Sequence, residues 1–318
     1  MGQDSKIEWT DHTFNPWIGC TKVSPGCLNC YAETRMDSRY GRVKWGKGQP
    51  RSRTGADNWR KPKQWNANAA AFPWICPACN CRIADDAYES DPCFECSNCH
   101  RARLIPYRPR VFCASLADWL DDEVPIEWLA DLLELIAATP NLDWLLLTKR
   151  PQNFAPRTLA VSELRGRPAS LLAMQWGGWG NIPPNVWVGT SAEDQNRWDE
   201  RMPLLMDIPA CIHFVSAEPL LGPIVMNGGP RPDWLIVGGE SGPGARPMHT
   251  DWARSLRDQC VAAGVAFHFK QWGEYSPEEP PDGRSPDWPG GMWRTGKKAA
   301  GRELDGRTWD ELPSPQLL

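Results

Sequence analysis

No stretch of this sequence approaches the roughly 18 consecutive apolar residues of a membrane helix. Its first segment, MGQDSKIEWTDHTFNPW, carries acidic and polar residues where a secretory signal carries an apolar core. Gly2 stands in a poor myristoylation context, with Glu8 and Asp11 close behind and no second anchor. The expectation is a soluble, cytoplasmic protein with no membrane partner. An excess of positive charge is also missing: 35 Lys and Arg against 39 Asp and Glu leave a formal net charge of -4. That balance gives no global electrostatic case for nucleic acid. No period of 20 to 50 residues recurs, which excludes a solenoid or propeller. GESGPGAR lacks the Gly-Lys-Ser/Thr of a P-loop. Only five histidines are present and no Ser-His-Asp order is persuasive. His213 and His268 fall within β-type runs and read as core or pocket-lining residues.

Cysteine and tryptophan, by contrast, are abundant. Nine of the 12 cysteines lie between positions 20 and 99 in tight clusters, a spacing that suits metal ligation better than a disulfide framework. Cys113, Cys211 and Cys260 stand apart and read as small buried residues. The 19 tryptophans fill the core or anchor loops, with some free to stack bases. Residues 35–63 hold ten Lys or Arg against Asp37 and Asp57. Two functions fit this local excess, a solvated insertion and a phosphate-facing surface.

Beyond residue 110, short β-type runs alternate with amphipathic segments, the pattern of βα units around a parallel sheet. Strands are expected at 110–115, 144–148, 186–190, 212–216, 234–238 and 266–270, and helices at 125–138, 162–174, 197–206 and 250–263. The fold expected is α/β, a partial (β/α)6 TIM-type barrel with an inserted zinc-ribbon-like minidomain. Its boundaries are 1–68 for the cysteine loop, basic segment and barrel start, 69–108 for the insertion, 109–275 for the rest of the barrel, and 276–318 for a loop-rich tail. Each strand ends in polar residues, which in a βα barrel converge on one face. The strand-end groups are Ser115 and Asp118; Thr148, Lys149 and Arg150; Thr190, Ser191 and Glu193; Ser216 and Glu218; Glu240 and Ser241; and Lys270 and Gln271. Thr148, Lys149, Arg150, Thr190, Ser216, Glu218, Glu240 and Lys270 are the pocket candidates among them; helix capping by Ser, Thr and Asp is the competing explanation.

The first cysteine constellation, FNPWIGCTKVSPGCLNCYAE, places Cys20, Cys27 and Cys30 at C-x6-C-x2-C spacing. By itself this spacing implies a metal. Three thiolates can occupy three corners of a cuboidal cluster and leave one iron open. They can also form a zinc site completed by His12 or another cysteine, or remain reduced core thiols. Gly19 and Gly26 are expected to let backbone approach the metal group closely. The second constellation, CPACNCRIADDAYESDPCFECSNCHR, pairs Cys76-x2-Cys79 with Cys96-x2-Cys99 at zinc-ribbon spacing. Cys93-x2-Cys96 is a rival knuckle, Cys81 and His100 are within reach, and a second iron-sulfur cluster is the alternative occupant.

The block NPWIGC followed by GCLNCYA resembles the cluster loop of radical-SAM proteins related to spore photoproduct lyase. Over most of its length the chain also resembles an uncharacterised phage-protein family built around this loop, through SLADW, LLTKRP, VGTSAED, SAEPLLGPI, VGGESG and FKQWGEY. The resemblance implies a 4Fe-4S cluster on Cys20, Cys27 and Cys30, S-adenosylmethionine as cofactor, a reducing electron donor and, for a phage protein, the host cytoplasm. Thr148, Lys149, Arg150, Thr190 and Ser216 would then bind the cofactor, and Glu218, Glu240 and Lys270 would serve the chemistry. DNA or RNA is the expected substrate class. This loop has six residues between its first two cysteines where the usual one has three, and Asn29 where an aromatic residue commonly stands. The competing class is a non-catalytic, metal-stabilised protein that binds nucleic acid or a host partner.

Overall fold

Runs such as Val186–Ser191 and Trp234–Gly238 are apolar on both faces, so they are stable only inside a sheet covered on both sides. The computed structural model, which describes residues 5–76, 78–79, 81–84, 96, 98–99, 104–226, 228–288 and 290–313, assembles them in that way. Seven strands run parallel in sequence order: β1 His12–Phe14, β2 Arg110–Cys113, β3 Asp143–Thr148, β4 Val186–Ser191, β5 Ile212–Ala217, β6 Trp234–Gly238 and β7 Ala266–Gln271. The sheet curls into a half-barrel with β1 and β7 at its edges. Six strands were expected, each within two residues of its observed bounds; the seventh is β1, too short at three residues to show as a β-type run.

Helices α1 Ala56–Ala71, α2 Ile126–Ala137, α3 Phe154–Ser162, α4 Pro168–Ala173, α5 Gln195–Met206 and α6 Thr250–Ala263 accompany the strands. Alternation along the strands divides the core in two. Val111, Leu146, Val188, Val215 and Val237 pack with helical residues such as Leu129 and Leu256. Phe112, Leu145, Trp187, Phe214 and Trp234 form a separate cluster on the opposite face, with Trp9 packed on Phe112 at a ring distance of 4.6 Å. The single helix expected over 162–174 is instead the end of α3 and all of α4. Gly166 lies between them at φ +80, and Pro168 cannot continue an upstream helical hydrogen-bond ladder.

The cysteine-rich stretch forms a small antiparallel sheet of Trp74–Ile75, Arg82–Ile83 and Ile105–Pro106, with a satellite core around Cys76, Cys96 and Leu104. Cys93 and His100 lie outside the described residues. Near the carboxyl end, Asp310 bridges antiparallel to His268, and the Phe269 N–H donates to the Trp309 carbonyl at 2.9 Å. That segment covers the β7 edge, which would otherwise present unpaired backbone groups. Cys113 and Cys260 are buried, and Cys211 is half-buried.

Candidate functional site

The carboxyl ends of a parallel sheet lie at one edge, and here they line a cleft of about 860 Å³ together with Cys20, Cys27 and Cys30. Of the expected pocket residues, Thr148, Lys149, Arg150, Ser216, Glu218, Glu240 and Lys270 all reach this cleft. Thr190 sits behind it, wholly buried, and donates its hydroxyl to the Thr148 carbonyl at 2.9 Å.

Asp118 organises the strand-β3 side. Its carboxylate accepts from the Thr148 hydroxyl at 2.7 Å, the Lys149 N–H at 2.9 Å, the Arg150 guanidinium at 2.9 Å and the Leu120 N–H at 3.0 Å. Held in this way, Arg150 donates to the Cys20 sulfur at 3.4 Å and to the Thr21 carbonyl at 2.7 Å. Lys149 points to the next strand and donates to Ser191 Oγ at 2.8 Å. Burial pushes the Cys20 thiol up to about 12 against the opposing pull of Arg150, and burial likewise raises Cys30. Across the cleft, Lys270 Nζ lies 2.9 Å from Glu218 Oε1, and Ser216 donates to the same carboxylate at 3.2 Å.

The cysteine loop has its own support. Pro25–Cys27 form one tight turn, and Cys30 precedes the short helix Tyr31–Glu33, whose Ala32 packs in a small core with Ile18, Met36, Val43 and Leu116. Tyr31 donates its hydroxyl to the Ser115 carbonyl. Two carboxylates from strand ends reach into the loop. Glu193, following β4, accepts the Gly26 N–H at 2.9 Å and pairs with Arg201 at 3.2 Å. Glu240, following β6, accepts from Asn29 Nδ2 at 3.0 Å and is gripped by Arg246 at 2.6 and 2.8 Å. Burial acts to raise both acids, but hydrogen bonds, from Ser24 and Gly26 on Glu193 and from Arg246 and Asn29 on Glu240, together with the nearby cations outweigh it and hold both below the usual carboxylate range. Gly239 of the Gly-Gly-Glu run is a packing residue, because a Cβ there would lie 1.9 Å from the Trp272 carbonyl.

Gly26 lines the cleft and also faces Glu193, whose Cδ would be 3.0 Å from an added Cβ, so its small size makes room for the protein's own carboxylate. His12 stacks on Trp65 with ring centroids 4.3 Å apart. The basic segment separates into unlike parts. Arg51 is buried and binds Asp121 at 2.8 Å, and Arg53 lies over Trp59 and pairs with Asp131 at 2.6 Å, so both are braces. Arg35, Arg39, Arg42 and Lys47 are exposed, and Arg39 and Arg42 each lie 5.6 Å from the centroid of the Tyr40 ring.

Asn29 and Arg246 were not among the expected site residues, whereas Asp118 and Glu193 were expected among the converging strand-end groups. Both acids carry a signal, as the acids of SLADW and VGTSAED just past two strand ends.

The second constellation is tighter. Among the described residues, the one set of three or more His, Cys, Asp or Glu with ligand atoms all within 4.8 Å of one another is Cys76, Cys79, Cys96 and Cys99. This donor set can hold a metal ion. The sulfurs of Cys76 and Cys99, and of Cys79 and Cys96, are 3.6 Å apart, while Cys81 lies 3.2 Å from both Cys79 and Cys96. Cys20, Cys27 and Cys30 line their cleft without meeting that spacing. Among the described residues no helix is long and apolar enough to cross a membrane.

Comparison with curated proteins and with solved structures finds no match. Residues 4–313 match the family model described as "Protein of unknown function (DUF5131)", and the chain belongs to that family.

Proposed function

We propose that the protein is a radical-SAM-type enzyme, with a 4Fe-4S cluster on Cys20, Cys27 and Cys30 and a structural zinc ion on Cys76, Cys79, Cys96 and Cys99. The observation that carries this reading is the meeting of the three thiols with the polar strand ends in one cleft, beside Arg150 and Lys149. A cuboidal cluster spreads its thiolates more widely than a single ion does, in keeping with three sulfurs outside the compact four-cysteine spacing. Two cations beside the thiols offset the negative charge that such a group brings. Cys20, Cys27 and Cys30 would hold the cluster, which with S-adenosylmethionine and a reductant would supply radical chemistry for hydrogen abstraction.

The chain's own part is to bind, orient and exclude water. Asp118 fixes Arg150 and Thr148, and Lys149 and Ser191 offer polar contacts beside the cysteines. Glu218 and Lys270, half-buried and 2.9 Å apart, can hold a polar substrate group or exchange a proton with it. A nucleic-acid substrate gains support from the exposed Arg35, Arg39, Arg42 and Lys47 around Tyr40, since Arg35 also lines the cleft. The test is anaerobic reduction of the purified protein with S-adenosylmethionine and assay for 5'-deoxyadenosine. Formation of that product, lost in Cys30→Ala, is expected; a protein that holds zinc alone would refute the proposal. Absence of DNA and RNA binding at low salt would remove the nucleic-acid substrate.

A further inference from the structure

We propose that Glu193 and Glu240 are positioning residues that fix the cysteine loop in its ligand-ready shape before any metal arrives. The span between Cys20 and Cys27 holds no regular structure until the turn at Pro25, so its ordering must be offset by ties to the rest of the molecule. Arg150 and Arg51 hold Thr21 at the start of the span, and two carboxylate ties fall one residue before Cys27 and one before Cys30: Gly26 N–H to Glu193 at 2.9 Å, and Asn29 Nδ2 to Glu240 at 3.0 Å.

Each acid is itself immobile. Glu193 and its partner Arg201 have side chains 0% and 3% exposed, and Arg201 also donates to the Ser191 carbonyl at 2.9 Å. Glu240 receives three hydrogen bonds from Arg246, from its backbone N–H and two guanidinium nitrogens. With an arginine on each acid, the loop bonds are not needed to neutralise buried charge, and what they add is position. The fit is close on the loop side too: a Cβ on Gly26 would approach Glu193 Oε1 to 3.1 Å, and one on Gly244 would approach Asn29 Oδ1 to 2.8 Å. Asn29 also donates to the Gly244 carbonyl at 2.6 Å, so this contact joins two loops as well as two side chains.

The test compares Gly26→Ala, which pushes the loop off Glu193, and Asn29→Leu, which removes the bond to Glu240, with the unaltered metal-free protein. Each variant is first checked for an unchanged far-ultraviolet spectrum and melting temperature. Alkylation of each cysteine by iodoacetamide is then followed by mass spectrometry, and iron uptake is measured on anaerobic reconstitution. Loss of one hydrogen bond to a charged group is expected to raise alkylation of Cys27 and Cys30 about tenfold, with half-buried Cys211 unchanged as the internal control. Asn29→Gln, which keeps the amide donor, is expected to restore part of the protection. Alkylation rates equal to those of the unaltered protein in both variants would overturn the inference, as would an equal rise at Cys211. Only the iron arm rests on the cluster proposal. If the unaltered protein takes up no iron but the variants alkylate faster, the cluster proposal fails and the positioning role stands; iron uptake with unchanged alkylation gives the reverse.

Discussion

The two cysteine constellations differ in how their ligands are held. In the insertion, Cys76, Cys79, Cys96 and Cys99 close on one point within 4.8 Å, and the surrounding core is little more than Trp74, Ile83 and Leu104. In the amino-terminal loop, Cys20, Cys27 and Cys30 border a cleft and are held by hydrogen bonds to a large independent core. Four thiols that close on one point around a sparse core are a set in which a bound metal would supply folding energy. Under the function proposed above, three thiols on an already ordered cleft would instead hold a group with an open position.

The contrast is broken most severely by removing metal from the insertion. The structural zinc ion proposed above would be worth on the order of 10 kcal/mol to a small domain, so chelation or Cys96→Ser should unfold the small sheet of Trp74–Ile75, Arg82–Ile83 and Ile105–Pro106, seen as new proteolytic cleavage there. The half-barrel transition should persist. Next comes the brace beneath the cleft: Asp118→Ala removes the close carboxylate from the buried Arg150 and takes the acceptor from the Thr148 hydroxyl and the Lys149 and Leu120 N–H groups, for an expected loss of about 3–5 kcal/mol in urea unfolding.

Acid separates the two regions in another way. Burial pushes His268 down to about 4 despite the nearby Asp310. The unfolded chain therefore binds this proton from about pH 6.5 while the folded one does not, and stability falls by about 3 kcal/mol as pH drops from 6.5 to 4. His268→Phe should flatten that window in the half-barrel unfolding curve without altering metal release from the insertion. The smallest effect expected is Cys27→Ala, a half-buried thiol outside the main core. It should cost less than about 1 kcal/mol while abolishing iron retention.

Six strands were legible in the sequence because parallel strands are short apolar runs ended by polar residues, and a local window captures both features. β1 was not, since three residues carry too little pattern. The break between α3 and α4 shows apolar periodicity outweighed by Gly166 and Pro168. In the cleft, residue types at strand ends pointed to the right face, but their partners were hidden. Gly26 meets Glu193 across 167 residues, and Asn29 meets Glu240 across 211. Such pairs leave no periodic trace, and a glycine that makes room for a distant carboxylate looks the same in sequence as one that makes room for a cofactor. Arg246, six residues past Glu240, and Arg201, eight past Glu193, are local partners close enough to have been read.

The most direct test is metal partition in anaerobically purified protein. We expect one zinc and roughly four iron with matching sulfide per chain, the iron and sulfide lost in Cys20→Ala, Cys27→Ala and Cys30→Ala and the zinc lost only in Cys76, Cys79, Cys96 or Cys99 variants. Zinc in both sites, or iron that survives loss of the amino-terminal cysteines, would contradict the division into an open and a closed site.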